Sequence, residues 1–159
     1  MDDNSTIIDC EALKMIKKAS IAECRELAQL AVKMWKSHTI EELTKEFEEI
    51  VNSKEAACFI TYDNDIPIAF AQCGLRHDYV EGTESSPVGY LEGIYVDERY
   101  RKQGNAKALL RECESWARNM NCVEFASDCE LQNEDSLKFH ISMGFEEANR
   151  IICFTKKLQ

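Results

Sequence analysis

The sequence is short of positive charge: 19 Lys and Arg stand against 29 Asp and Glu in 159 residues, a net charge of −10. A chain that held nucleic acid through its phosphates would need a basic face, so no nucleic-acid partner is expected. The acids suit a cationic or amine-bearing ligand, or form a solvated surface. Apolar runs fall far short of the roughly 18–20 residues of a spanning helix. The opening Met1-Asp2-Asp3-Asn4 has neither the basic nor the apolar part of a signal peptide. No membrane role is expected, and a cytoplasmic location is. The eight cysteines contain no C-x-x-C pair and no zinc spacing, so no metal is expected. Most lie in apolar stretches such as Ala57-Cys58-Phe59-Ile60 and Ile152-Cys153-Phe154, and are expected to be small buried hydrophobes in a reducing cytosol. With three histidines, His38, His77 and His140, and no local signature, a Cys–His nucleophile is disfavoured.

What is present is ordinary globular material, 45% hydrophobic and 30% charged, enough for a sizeable core in one domain. Repeats and linkers are missing. Residues 1–11 have little periodicity and are expected to be a loosely structured leader; 12–159 are expected to form a single domain. Leu13 to Lys17 alternates as a first strand. Ser20 with Glu23 and Thr39 with Glu42 are capping boxes. The first opens a helix carrying Cys24, Leu27, Ala28, Ala31, Met34 and Trp35 on one face; the second opens one carrying Leu43, Phe47, Ile50 and Val51. Strands are predicted at 56–62 and 66–76, joined at Asp63-Asn64-Asp65. A long polar loop covers 77–87, the type of connection that often carries a site. An apolar strand runs from Val88 to Val96, an amphipathic helix follows Gly104, and Val123–Ser127 is a strand. Asn133–Met143 is a helix, and 145–157 holds one or two final strands. The order predicts a mixed α/β sheet with helices on both faces.

The most informative segment is Ile94-Tyr95-Val96-Asp97-Glu98-Arg99-Tyr100-Arg101-Lys102-Gln103-Gly104-Asn105-Ala106: a strand, a basic turn with one glycine, then a helix start. Helix-opening N–H groups lack intrahelical partners and carry partial positive charge, and small residues let a phosphate approach them. Neither a G-x-G-x-x-G fingerprint nor a P-loop is present. The pattern Arg101-x-x-Gly104-x-Ala106 resembles the pyrophosphate signature of the GNAT superfamily of acetyltransferases. Asn133-x-x-Ser136-x-x-x-His140-x-x-x-Gly144-Phe145 is similar to that family's closing motif. The resemblance covers roughly residues 13–157. It implies the GNAT fold, a single mixed, mostly antiparallel sheet whose central parallel strands splay apart, with acetyl-CoA as cosubstrate. The pantetheine arm would lie in the gap against the main chain of Ile94, Tyr95 and Val96. The turn Arg101, Lys102, Gln103, Gly104, Asn105 and Ala106 would hold the pyrophosphate, with Asn133 and Ser136 nearby.

Finer blocks, His77-Asp78-Tyr79-Val80-Glu81-Gly82, Ser85-Ser86-Pro87-Val88, Leu91-Glu92-Gly93-Ile94, Ala126-Ser127-Asp128 and Gly144-Phe145-Glu146-Glu147, look like the aminoglycoside 6'-N-acetyltransferases. That resemblance implies a drug pocket lined by Trp35, His38, Tyr79, Glu92, Asp128 and Asn149, and a homodimer to which the C-terminal strands contribute. Two departures stand out: Asn149 replaces a common glutamate, and His140 stands where the superfamily often has a tyrosine proposed to protonate the departing thiolate, so His140 is read as a structural histidine ahead of a general acid. From the residues alone, Glu92 interrupts an apolar strand, where an unpaired carboxylate would be costly. It is therefore a substrate-facing acid, one half of a structural ion pair, or the acid of a bulge-linked hydrogen bond. Asp128 is a second cleft acid or a turn residue, Tyr79 a stacking ring or packing, and Trp35 a pocket wall or core. The chemistry requires a carboxylate to take the ammonium proton and an N–H for the oxyanion; Glu92 and Asp128 are the catalytic candidates. Acetylation of another small polyamine, and a non-catalytic acetyl-CoA sensor, are the competing readings.

Overall fold

The computed structural model describes residues 14–158, so the expected leader at 1–11, with Cys10 in it, lies outside the described residues. Five strands, β1 (Lys14–Lys18), β2 (Ala56–Asp63), β3 (Ile66–Arg76), β4 (Val88–Val96) and β5 (Phe125–Ser127), form one sheet in sequence order. Every pairing is antiparallel except β4 with β5, which is parallel. Four helices complete the described chain: α1 (Cys24–Ala31), α2 (Ile40–Asn52), α3 (Asn105–Asn119) and α4 (Glu134–Ser142).

Local chemistry accounts for most boundaries. Both capping boxes form, Ser20 with Glu23 ahead of α1 and Thr39 with Glu42 at α2, each satisfying otherwise orphaned N–H groups. The β2–β3 hairpin turns on Asn64 (φ 46°) and Asp65 (φ 69°), two left-handed residues whose twist matches the flanking strands. Two hydrophobic clusters then sandwich the sheet. Leu27, Leu43, Phe47 and Phe70 bring α1 and α2 onto one face. Leu109, Leu110, Cys113 and Trp116 bring α3 onto the other, with Phe139 and Met143 of α4 beside them. Burying rings such as Phe47 and Phe70 contributes about 2–3 kcal/mol each.

Several expectations require correction. The first helix ends at Ala31, and Met34 and Trp35 lie in the turns beyond it. Strand β5 begins at Phe125, and Val123 is exposed. Residues 145–158 carry no strand, although Ile151, Ile152, Phe154 and Leu158 keep a β-like apolar pattern and are exposed. A strand needs a neighbour to pair with, and edge strand β5 offers three residues. Cys24, Cys58, Cys73, Cys113 and Cys122 are buried as expected, but Cys129 and Cys153 are exposed, on stretches outside the described strands and helices.

Candidate active site

The site is built around a fork. β4 pairs with β5 over Gly89–Leu91 against Phe125–Ser127, and the ladder ends there while β4 runs on to Val96. On its other side β4 follows β3 throughout, with one irregularity: Gln72 faces Gly93 and Cys73 faces Leu91, so Glu92 is the extra residue of a β-bulge. The bulge reverses the alternation of β4. Before it, Leu91 packs toward α3 and Tyr90 toward the opposite face; after it, Ile94 and Val96 pack toward α3 and Tyr95 toward α1 and α2. The backbone alternates with them. Asp97 N–H donates to Ile68 O of the β3 side, which turns Gly93 and Tyr95 the same way and turns Ile94 and Val96 toward the fork. Tyr95 is therefore not brought to the gap; its ring lies 6.0 Å below the Lys33 ammonium. Arg101 Nε takes up Val96 O at 3.1 Å, leaving Val96 N–H and both groups of Ile94 facing the fork.

Both candidate acids stand at this fork, and neither is unpaired. Arg76, the last residue of β3, forks onto Glu92, with Nη2 at 2.9 Å from Oε2 and Nε at 3.2 Å from Oε1. The same guanidinium lies 3.5 Å over the Tyr90 ring, and the Tyr90 hydroxyl donates to Asp128. Burial and the Asp128 carboxylate hold the Tyr90 phenol above its ordinary value. Four residues, from β3, β4 and the position just after β5, thus form one chain: Glu92, Arg76, Tyr90, Asp128. The sequence reading missed Arg76 and Tyr90. The signal was parity: Gln72, Gly74 and Arg76 share a face of β3, and Tyr90 opposes Gly74 in β4.

Beside Glu92 is a cavity of about 240 Å³ that Trp35, His38, Leu43, Glu46, Ile50 and Gln72 also line. The structure brings Trp35, His38 and Glu92 together. Trp35 is both wall and core, since its ring packs 6.1 Å from Phe70 and 6.5 Å from Phe47. Tyr79 stands 80% exposed on the loop 77–87. That loop is held at its far end: the Glu124 carboxylate accepts from the N–H groups of Glu84 (2.9 Å) and Ser85 (2.8 Å) and from the Ser85 hydroxyl. Ser85 and those N–H groups lower the Glu124 carboxyl below its usual range. Val80 tucks against Val88, Tyr90 and Ala126. Gly82 meets Ala148 so closely that a Cβ there would lie 2.5 Å from the Ala148 Cβ, so the loop touches the segment bearing Asn149. Asn149 accepts from Arg150 N–H at 2.8 Å and is exposed.

The turn before α3 forms a cradle. Gly104 is its N-cap with φ 82°, a left-handed conformation that favours glycine, and a Cβ built there would meet nothing within 4 Å. The helix has no side-chain cap, unlike α2 and α4, so no N-cap side chain takes up its opening N–H groups, which follow Arg101 and Lys102 in the chain. Two expected contacts are instead structural braces. Asn105 is buried and donates to Tyr100 O at 2.7 Å; Gln103 accepts from Lys14 at 2.8 Å and donates to Arg99 O. Their backbone groups remain in the cradle. Asn133 caps α4 by accepting from Ser136 N–H at 3.1 Å. His140 uses both ring nitrogens, Nδ1 at 2.7 Å from Ser136 O and Nε2 at 2.9 Å from the Ser127 hydroxyl, as a structural histidine does. Among the described residues, no group of three or more His, Cys, Asp or Glu could hold a metal ion, and no helix is long and apolar enough to cross a membrane.

Comparison with known proteins is specific. Residues 23–145 match the family described as Acetyltransferase (GNAT) family. An aminoglycoside N(6')-acetyltransferase type 1 of Acinetobacter haemolyticus is 39% identical over 143 residues, 90% of this chain and 98% of that protein. One from Serratia marcescens is 41% identical over 130 residues, covering 81% and 89%. Among solved structures, AAC(6')-Iy in complex with the bisubstrate analogue CoA-S-monomethyl-acetylneamine superposes with a TM-score of 0.88 at 35% identity, covering 92% of this chain and all of that one. The apo AAC(6')-IG of Acinetobacter haemolyticus gives 0.86 at 39%, covering 91% and 99%.

Proposed function

This chain belongs to the GNAT acetyltransferase family, and we propose that it transfers the acetyl group of acetyl-CoA to the 6'-amine of an aminoglycoside. The observation that carries this reading is a pair of acids, Glu92 and Asp128, set at the point where β4 parts from β5. A polycation would be drawn to them, and the fork beside them offers strand-like N–H and C=O groups to an extended amide chain. Ile94 and the Val96 N–H would take the pantetheine arm. The Gly104 turn, the first N–H groups of α3, Arg101 and Lys102 would take the pyrophosphate, with Asn133 and Ser136 at its border.

The chain's own residues then have separable tasks. Trp35, His38, Tyr79 and Asn149 would orient the sugar so that one primary amine faces the thioester. Glu92 or Asp128, directly or through one water, accepts the proton that the ammonium must lose. An N–H of the fork stabilises the oxygen that becomes negative on attack. Thiol release and amide formation then complete the transfer without a covalent enzyme intermediate. A cytoplasmic location is part of the proposal, supported by the seven described cysteines, which are all free thiols. A homodimer is too, supported by the exposed apolar residues of 145–158.

Regiochemistry tests the reading. Kanamycin and neomycin should be acetylated at the 6'-amine, located by NMR and mass spectrometry of the products. Paromomycin, which carries a hydroxyl there, should bind and inhibit competitively. Rapid acetylation of paromomycin would remove the 6' assignment and leave the family in place.

A further inference from the structure

Arg76 puts a cation where the proposed substrate would need to place its own. We propose that Arg76 determines acceptor specificity: its guanidinium is the resident counter-ion of Glu92, which an incoming substrate must displace, so that the cleft selects polycations over monoamines. The inference rests on the aminoglycoside reading. The Arg76–Glu92 contact has three hydrogen bonds, at 2.9, 3.1 and 3.2 Å, the fork geometry in which guanidinium binds carboxylate most specifically. A single ammonium cannot reproduce that fork, because it is a compact point charge.

The guanidinium also has a second contact, made at the same time. It lies 3.5 Å over the Tyr90 ring, whose hydroxyl is tied to Asp128, so the ring face is held toward Arg76 while Glu92 changes partners. The Arg76 side chain is 43% exposed, which leaves it free to withdraw toward solvent. With Glu46, Glu92 and Asp128 against Arg76, the site carries two surplus formal negative charges. A monoamine meets only that surplus. A substrate with several ammonium groups can engage Asp128 first and then exchange with Arg76 on Glu92, recovering in number what each contact lacks in geometry.

The test compares kcat and KM, followed by thiol release, for kanamycin and for methyl 6-amino-6-deoxyglucoside, a sugar with one amine. Measurements use wild type, Arg76→Gln and Arg76→Lys at matched ionic strength. Arg76→Gln should lower the monoamine KM relative to the kanamycin KM, shrinking the preference for kanamycin in kcat/KM by about tenfold, the value of one charge-assisted hydrogen bond. Arg76→Lys, which keeps the charge but loses the fork, should give a preference between those of Arg76→Gln and wild type. A parallel rise in both KM values, or an unchanged preference, overturns the proposal and makes Arg76 a residue that merely positions Glu92. If wild type acetylates neither compound, the aminoglycoside reading fails and this inference with it.

Discussion

Glu92 and Asp128 carry the same charge in the same cleft but have different neighbours. Glu92 is held by a guanidinium, Asp128 by a neutral phenol. Glu92→Gln and Asp128→Asn should therefore each impair kanamycin acetylation by roughly tenfold to a hundredfold, the value of a lost charged contact, with acetyl-CoA affinity retained. The balance between kcat and KM in the two variants separates proton acceptor from binding group; full kcat/KM in both would make the acids structural. Gly104 is a second decisive residue. Gly104→Ala strains a left-handed backbone by about 1 kcal/mol, whereas Gly104→Asp adds a negative charge at the helix N-terminus. The aspartate variant should lose acetyl-CoA affinity well beyond the alanine variant in calorimetric titration, and equal affinities would remove the phosphate cradle. The glycine was legible from its place between strand and helix. Arg76 was not, because a basic residue at a strand end looks like any solvated end until the register is known.

The elements most legible in the sequence are those whose signals are local. Both capping boxes, the β2–β3 turn and the periodic faces of α2 and α3 fall where spacing put them. The bulge at Glu92 was legible only as one reading of an acid in an apolar strand, since it is fixed by the pairing of β4 with β3. The expected strands in 145–157 failed for a related reason: alternation describes a strand's faces and leaves its partner unspecified. The loop 77–87 is positioned from outside itself, by Glu124, and this gives it a pH signature. A carboxyl lowered in the folded state stabilises above its unfolded value, and that contribution is lost as pH falls through the folded value. Glu124→Gln should thus be less stable than wild type at neutral pH, in denaturant titration, and the gap should shrink progressively as the solution is made acidic. A gap of constant size would mean that the carboxylate charge does not anchor the loop. The same variant should raise the kanamycin KM if the Tyr79 loop lines the pocket.

At the scale of the molecule, two faces of the sheet are covered by helices, and among the described residues the stretch 151–158 is exposed throughout. Ile152, Phe154 and Leu158 recur at the period of a strand and are more than four-fifths exposed. A second copy of the chain would supply both an edge for this segment to pair with and apolar surface for its side chains. Light scattering should give about twice 18.3 kDa for wild type, and Ile152→Glu with Phe154→Glu should give the monomer with the same far-ultraviolet circular dichroism. A monomeric wild type at micromolar concentration would end the proposal of a homodimer. The tail also touches the Tyr79 loop through Ala148 and Gly82, so the double variant should raise the kanamycin KM while leaving acetyl-CoA binding intact.

The early end of the β4–β5 ladder has a consequence for exchange with heavy water. The N–H groups of Ile94 and Val96 belong to a strand flanked by β3, yet they turn toward a side on which pairing stops at Leu91. Amide protons inside a sheet are ordinarily among the slowest of a domain to be replaced by deuterium, because they are released only when the sheet opens. These two lie within the sheet's span with no β5 partner, and their replacement needs no unfolding at all. Fast deuterium uptake at Ile94 and Val96, beside slow uptake at Gly93 and Tyr95, would give the free protein an every-other-residue pattern along the second half of one strand. An extended amide chain seated in the fork would erase that pattern and give β4 the uniform protection of an interior strand.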